Sequence, residues 1–600
     1  MTPVLRLRST RSAALFFAFV LMAAGLLIPA MASRAHAASC GTTNLALNRP
    51  ATASSVESAA FPASAAFDGN TGTRWSSQFS DPQWLQVDLG GTQSICQVVL
   101  NWETASGKTF QIQTSNDAAT WTTVYSTTAG AGGTQPLAVS GSGRALRMYG
   151  TARTTGWGYS LWEFAVYGGT SGPPPPPTGG DLGSNVIVFS PTMSQASIQS
   201  TLNAISDRQV PSEFGTGRYA LLFKPGIYGS AANPLIFTVG FYTAVAGLGQ
   251  NPGDVVINGT VDAYNQCSGG TCNATTNFWR SLTNLTVNVM GMSGCQNGND
   301  FWAVSQAAPM RRVHFNGNVS LMDYCVGGPG YASGGFIADS QFTGGTVTNG
   351  SQQQYITRDT ALDGWSNGVW NQVFCGDPGA PPQSFATNSG HTGGPPPYTT
   401  LATCPVTKEA PYLYQDSGGN YRVFVPSLRT NSNGPTWTGG ATPGTSLSLN
   451  TFYVVQPSAS VDTINAALAA GDNLLFTPGV YQIDKTITVT RPDTHIVGLG
   501  FATLVPTAGN VTMSVADANG VTVSGLIFDA GTASSPSLLH VGTTPATNHA
   551  ADPVTLDDVF FRVGGATVGT VTTPLIVDSS DTILDDTWIW RADHGAGGGS

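Results

Sequence analysis

Apolar and polar residues alternate in short runs along the chain, broken every few positions by Gly, Asn or Asp, which is the pattern of half-buried strands joined by turns. In the first third such runs are WLQVDLG (84–90), ICQVVLNWE (95–103) and TFQIQTSND (109–117). Further along, the pattern repeats itself. The stretch LLFKPGIY (221–228) returns as LLFTPGVY (474–481), and VAGLG (245–249) or IVGLG (496–500) follows. A helical pattern precedes each copy, at 198–205 and 461–471. Shorter units then recur: LTNLTV (282), MRRVHF (310), IADSQF (337) and ITRDTA (356) after the first copy, VSGLIF (523), LDDVFF (556) and LDDTWI (584) after the second.

One short strand motif every 20 to 35 residues is the signature of a parallel β-helix, whose coils bury apolar side chains only by stacking on their neighbours. Two copies of the entry sentence predict two β-helices in tandem, each with its own starting cap, over 184–440 and 441–600, with the stretch 408–437 bridging them. The second helix is expected to be incomplete, since the pattern is still running at WIWRADHGAGGGS. The run GPPPPP (172–177) cannot join a sheet ladder and marks 170–183 as a linker, which leaves 40–169 as a separate domain of β-sandwich size. The fold class expected is all-β: an N-terminal sandwich followed by two right-handed parallel β-helices.

Composition narrows the function. Only 10% of residues are charged and the net charge is −10, so no basic surface is available to neutralise a phosphate backbone, and nucleic acid is excluded as a partner. Arg6, Arg8 and Arg11, an apolar run over 13–31 and AHA at 35–37 form a secretory signal over 1–38. The protein is expected outside the cell, not inserted in a membrane after cleavage, and as a monomer. In an exported chain, eight cysteines point to disulfides. Cys40 and Cys96 share the first domain and form the natural first pair, whereas the pairing of Cys267, Cys272, Cys295, Cys325, Cys375 and Cys404 is open.

The ordered motifs NLALNRPATASS, FDGNTGTRW, WLQVDLG and GYSLWEFAVYG resemble a discoidin, or coagulation factor 5/8 type C, domain with the jelly-roll, galactose-binding-like fold. The resemblance covers the whole segment and implies a carbohydrate-binding module of the family 32 type. It also implies a structural calcium on the FDGNTGTRW loop and the Glu near the C-terminus, which are Asp68, Asn70, Thr73 and Glu163. Oxygen-rich, Gly-containing loops suit that hard cation. Trp102, Trp157 and Tyr159 are the candidates for stacking on a sugar, although aromatic residues there can equally be core.

The tandem arrangement resembles the pectate-lyase-like superfamily and, within it, glycoside hydrolase family 55, secreted β-1,3-glucanases built of two β-helices. This implies a glucan substrate and hydrolysis without a catalytic cofactor, with the catalytic acid well into the second helix, which leaves a place past Ser600 open for it. Other readings are an α-1,3-glucanase of the family 87 type, a non-catalytic wall-binding protein and, third, a pectate lyase. The lyase ranks low because Arg311 and Arg312 have no carboxylate cluster near them in sequence.

Within 441–600 the repeated Leu-Asp-Asp stacks Asp557 on Asp585 and Asp558 on Asp586 if 28 residues make one coil. Parallel strands lie about 4.8 Å apart, close to the roughly 5 to 5.5 Å between the carboxyl groups of a retaining glycosidase. Period-two alternation puts one pair on each face, so Asp558 and Asp586 are the catalytic candidates, with Asp557 and Asp585 opposite. The bland reading, that these residues form turns, is the commoner one. Asp593, followed by His594 and preceded by Trp588 and Trp590, is the third candidate.

Overall fold

The computed structural model describes residues 40–169, 181–328, 330–350, 355–366, 372–386 and 397–599. The signal over 1–38 and most of the linker lie outside them. Contacts divide the chain into Met1–Tyr167 and Gly168–Ser600.

In the first unit two long antiparallel strands, Gln83–Trp102 and Thr134–Arg153, run through the sheet and change register between Asp88 and Gln93 and between Ile95 and Gln97. Such irregularities bend a strand, so that one strand serves both layers of a sandwich. Alternation then points Val98, Leu100 and Trp102 into the core with Trp75, Phe110, Tyr159 and Phe164.

The second unit contains the two β-helices. Helices α1 (Gln195–Gln209) and α2 (Val461–Ala470) close their starts, with Ser194 and Ser460 accepting at the N-caps from the N–H groups of Ser197 and Thr463. Ile198, Leu202 and Ile205, or Val461, Ile464 and Leu468, cover the first coil. The repeated sentence has one structural meaning in both copies. Tyr228 donates its hydroxyl to the carbonyls of Phe189 (3.1 Å) and Lys224 (2.8 Å), and Tyr481 does the same with Val455 (2.8 Å) and Thr477 (2.8 Å). The first glycine of each GLG sits where the next coil comes closest. A Cβ on Gly247 would lie 2.1 Å from the Asn284 carbonyl oxygen, and one on Gly498 2.4 Å from that of Gly525.

Coils stack in register. In the second helix Val523 opposes Leu556, and Leu556 opposes Leu584, so the spacings expected from sequence are single coils. In the first, Leu282 opposes Met310 and Met310 opposes Ile337. The next coil differs from expectation by one residue: Ile337 opposes Thr357, and Ile356 falls on the outer face, 40% exposed. A slip of one residue exchanges the faces of a strand.

The coils of the first helix end at Tyr398–Leu401, short of 440. The bridge is antiparallel: Cys404–Thr407 pairs with Arg429–Ser432, and Tyr412–Gln415, Tyr421–Pro426 and Gly444–Ser448 form a sheet that leads into Phe452–Val455, the first strand of the second helix. Disulfides join Cys267 to Cys272, Cys295 to Cys325 and Cys375 to Cys404. Cys96 is also disulfide-bonded, but the side chain of Cys40 lies outside the described ones, and so does that expected pair.

Candidate functional sites

On the first unit the four residues expected to hold calcium come together. The Asp68 carboxylate accepts from the N–H of Asn70 (2.8 Å) and the hydroxyl of Thr73 (2.7 Å), and that hydroxyl also donates to the Asn70 carbonyl (2.9 Å). Glu163 packs against this loop with Oε1 buried and unpartnered. Burial, followed by the nearby Asp68 charge, pushes the Glu163 carboxyl up to about 7. Two carboxylates facing each other, with an orphaned oxygen and an oxygen-only donor set, fit a hard cation. Among the described residues no group of three or more His, Cys, Asp or Glu forms a metal site, so a cation here would also draw on backbone carbonyls.

The sugar-stacking candidates separate. Trp102 and Tyr159 are 3% and 0% exposed and belong to the core, so they have no face to offer a ligand. Tyr159 spends its hydroxyl on Asp81, and Trp102 donates its indole N–H to Gln135. Trp157 is 65% exposed and meets Phe79, 45% exposed, edge to face at 5.4 Å. Phe79 went unnoticed in the sequence, although it lies in the polar run SSQFSD, where an aromatic residue has no core to join.

In the second unit the two helices meet along a seam built from the residues at one bend of each coil. The bend residue has a left-handed backbone: Asn284, Arg312, Asp339 and Asp359 in the first helix, and Gly525, Asp558 and Asp586 in the second. This overturns the expectation that adjacent aspartates point to opposite faces. Leu556 and Val559 both face the core, and the left-handed residue between strands breaks the period of two, so Asp557 and Asp558 both turn away from it. Arg311 and Arg312 are placed in the same way between Met310 and Val313.

The carboxylate cluster missing around Arg311 in sequence therefore arrives from the second helix. The Arg311 guanidinium donates to both oxygens of Asp558 (2.7 to 3.0 Å) and to Asp585 (2.8 Å). Arg358 donates to Asp585 (Nε to Oδ1, 3.0 Å) and to both oxygens of Glu409, which comes from the bridge. Burial works against the Asp585 charge, but Arg358 and Arg311 outweigh it and hold the carboxyl below the usual carboxylate range. Asp586 is pushed the other way, by burial and then by Asp558, to which it is hydrogen-bonded. Asp557 is fully buried with neither oxygen partnered.

This geometry differs from the one expected of a glycosidase pair. Asp558 and Asp586 do lie beside each other, but the Asp558 carboxylate is taken up by Arg311, and Asp586 borders the cleft at the seam with its Oδ2 buried and unpartnered. Asp593 accepts from His594 (2.7 Å), whose other ring nitrogen contacts Glu213 of the first helix (2.6 Å). That bond holds the Asp593 carboxyl below its ordinary value, the opposite of what a general acid needs. On one flank of the seam Tyr242, Phe278, Trp279, Phe560 and Trp590 pack together. Next to the ion cluster a cleft of about 760 Å³ is lined by Phe336, Arg358, Lys408, Asp585 and Trp588.

Two family models match the chain: the F5/8 type C domain over residues 50–164 and the LAM55 pectate lyase-like domain over 452–600. An exo-beta-1,3-glucanase of Streptomyces sp. strain SirexAA-E is 50% identical over 422 residues, 70% of this chain and 65% of that protein. The chain thus spans a little under two thirds of this curated relative. The solved structure of sacteLam55A from the same organism is 49% identical, with a TM-score of 0.63 over 70% of this chain and 71% of that one. A variant of that protein in complex with glucose matches with 48% identity and the same TM-score of 0.63. With half of its residues shared across both β-helices, this chain belongs to the LAM55 pectate lyase-like family, glycoside hydrolase family 55, and carries an F5/8 type C domain ahead of the solenoids.

Proposed function

We propose that this protein is a secreted exo-acting β-1,3-glucan hydrolase, monomeric and without a catalytic cofactor, held on its polysaccharide by the F5/8 type C domain. The observation that carries the reading is the 50% identity to an exo-beta-1,3-glucanase over 70% of the chain. The cleft beside the seam supports it: its volume is in the range of small-ligand sites, and Trp588 offers a ring face of the kind sugars stack on. The protein should release glucose from laminarin and leave α-1,3-glucan and polygalacturonate intact. Depolymerisation of α-1,3-glucan or of polygalacturonate instead would favour the family 87 or the lyase reading respectively, and cleavage of none would favour a wall-binding protein.

The exposed Trp157–Phe79 pair is the proposed sugar platform of the first domain. Trp157→Ala should reduce retention on insoluble β-1,3-glucan by about tenfold, the loss of roughly 1.4 kcal/mol of contact, and leave hydrolysis of soluble laminarin unchanged. Equal retention by the variant in a pull-down would remove Trp157 from the platform.

The loop of Asp68, Asn70 and Thr73, with Glu163, is the proposed calcium site. A carboxyl whose folded value is raised keeps its full stabilising effect below the unfolded value, and loses it as pH climbs through the folded one, here about 7. Calcium takes the place of the proton. The first domain of the calcium-free protein should therefore melt at a lower temperature at pH 8 than at pH 5, and calcium should raise it more at pH 8. Glu163→Gln should abolish both responses. Melting curves indifferent to calcium at both pH values would sink the assignment.

A further inference from the structure

The ion cluster at the seam holds more acid than base. Its cations are Arg311 and Arg358 from the first helix. Against them stand Glu409 from the bridge and four aspartates, 557, 558, 585 and 586, from the second helix. Tyr355 of the first helix also faces Asp586. Arg358 is shared by Glu409, Asp585 and Asp359, the last of which also pairs with Arg429 of the bridge, and Arg311 is shared by Asp558, Asp585 and, at 3.8 Å, Glu409. Neither arginine donates to Asp586, which bonds to Asp558 instead, nor to Asp557, which has no hydrogen-bond partner although it is buried between Ser524 and Asp585 of the adjoining coils. Ionised together, these five carboxylates would leave three uncompensated charges in a water-poor interface, each costing several kcal/mol. Two protons, one on Asp586 donated to Asp558 and one on Asp557, reduce this excess to a single charge. A cavity of about 110 Å³ in the seam, lined by Asp558, Arg311, Glu409 and Ser524, has room for waters beside Asp558, and Asp586 borders the larger cleft, through which its proton would exchange.

We infer that the seam is a proton-dependent lock. The Asp558–Asp586 acid pair and the protonated Asp557 hold the two β-helices together at low pH, and loss of these protons as pH rises loosens the face on which the cleft opens. The direction follows from linkage. Each of these groups binds its proton more tightly in the folded chain than in the unfolded one, so its contribution is complete below the unfolded carboxylate range and disappears as pH rises through the higher folded value.

The test is denaturant unfolding of the full chain in saturating calcium, with the equilibrium constant followed from pH 5 to pH 9. Each proton held only by the folded state makes that constant rise by about tenfold per pH unit. Asp586→Asn and Asp557→Asn should each lower the slope by up to one proton, and both variants should outlast the natural sequence at the alkaline end. Asp585→Asn removes the ionised partner of both arginines and should weaken the protein at every pH; because its charge also helps raise Asp557 and Asp586, the proton-linked slope should persist but begin at lower pH. Asp557→Ser copies the residue the preceding coil places at the same point, Ser524, and should behave as Asp557→Asn does. Amide exchange of the unaltered protein gives a reading free of substitutions: after correction for intrinsic rates, strands 555–563 and 583–591 should open more readily at alkaline pH than strands 473–476 and 513–515. Unchanged slopes in the Asp586 and Asp557 variants, or equal protection of those strands at both pH values, would overturn the lock.

Discussion

Arg358→Met is expected to destabilise the second unit by about 3–5 kcal/mol, the usual consequence of removing one partner from a buried ion pair. Arg358 is 6% exposed and ties together three parts of the chain: its own coil in the first helix, Glu409 in the bridge and Asp585 in the second helix. Methionine fills much of the same volume, so the change is chiefly one of charge. The two carboxylates it pairs with, Glu409 and Asp585, would be left to share Arg311. Arg358→Lys separates charge from shape, since an ammonium cannot donate in parallel to two carboxylates lying on either side of a planar guanidinium; it should fall between the other two proteins. Urea unfolding of the three proteins, followed by tryptophan fluorescence, gives the comparison. An unfolding free energy for Arg358→Met within about 1 kcal/mol of the natural protein would mean that the interface is held by its apolar clusters and that the ion cluster contributes little.

The solenoid was legible because its information is local. A coil announces itself with one strand motif, and the entry cap with a Pro-Gly turn and a tyrosine whose hydroxyl closes that turn, so two copies could be recognised without knowing what they touch. The seam was not legible, for two physical reasons. First, its contacts are remote: Arg311 meets a carboxylate 247 residues away. Second, the bend residue suspends the period of two on which the facing of strand residues is read. A signal for that bend does exist. Asn284, Asp339, Asp359, Gly525, Asp558 and Asp586 recur at the same place in successive coils, and Asn, Asp and Gly are the residues that tolerate a left-handed backbone. The second Asp of each Leu-Asp-Asp sits at such a bend, inside the strand rather than opening it. In the first domain the neighbours of each aromatic residue carry the distinction: Trp157 stands between two glycines in a loop, whereas Trp102 ends an alternating strand in phase with Val98 and Leu100.

Trp279→Ala should have an effect of similar size, about 3–5 kcal/mol, and should reach the cleft as well. Trp279 is 1% exposed, lies flat against Tyr242 with ring centres 5.2 Å apart, and touches both Trp588 (5.9 Å) and Trp590 (5.8 Å) of the second helix. Its backbone is left-handed, with φ of 51°, an arrangement that costs an aromatic residue of order 1–3 kcal/mol and persists only where packing overdetermines it. Alanine would keep the unfavourable backbone and lose the packing that compensates for it. Because Trp588 lines the cleft and rests on Trp279 and Phe278, the same substitution removes the support of the proposed sugar-stacking ring. Trp302→Ala is the control: Trp302 is equally buried, but within the first helix, among residues that line neither the seam nor the cleft. Both variants should lose stability. At a temperature where both remain folded, only Trp279→Ala should show a raised KM for laminarin, and equal KM values would sever the cleft from the seam that borders it.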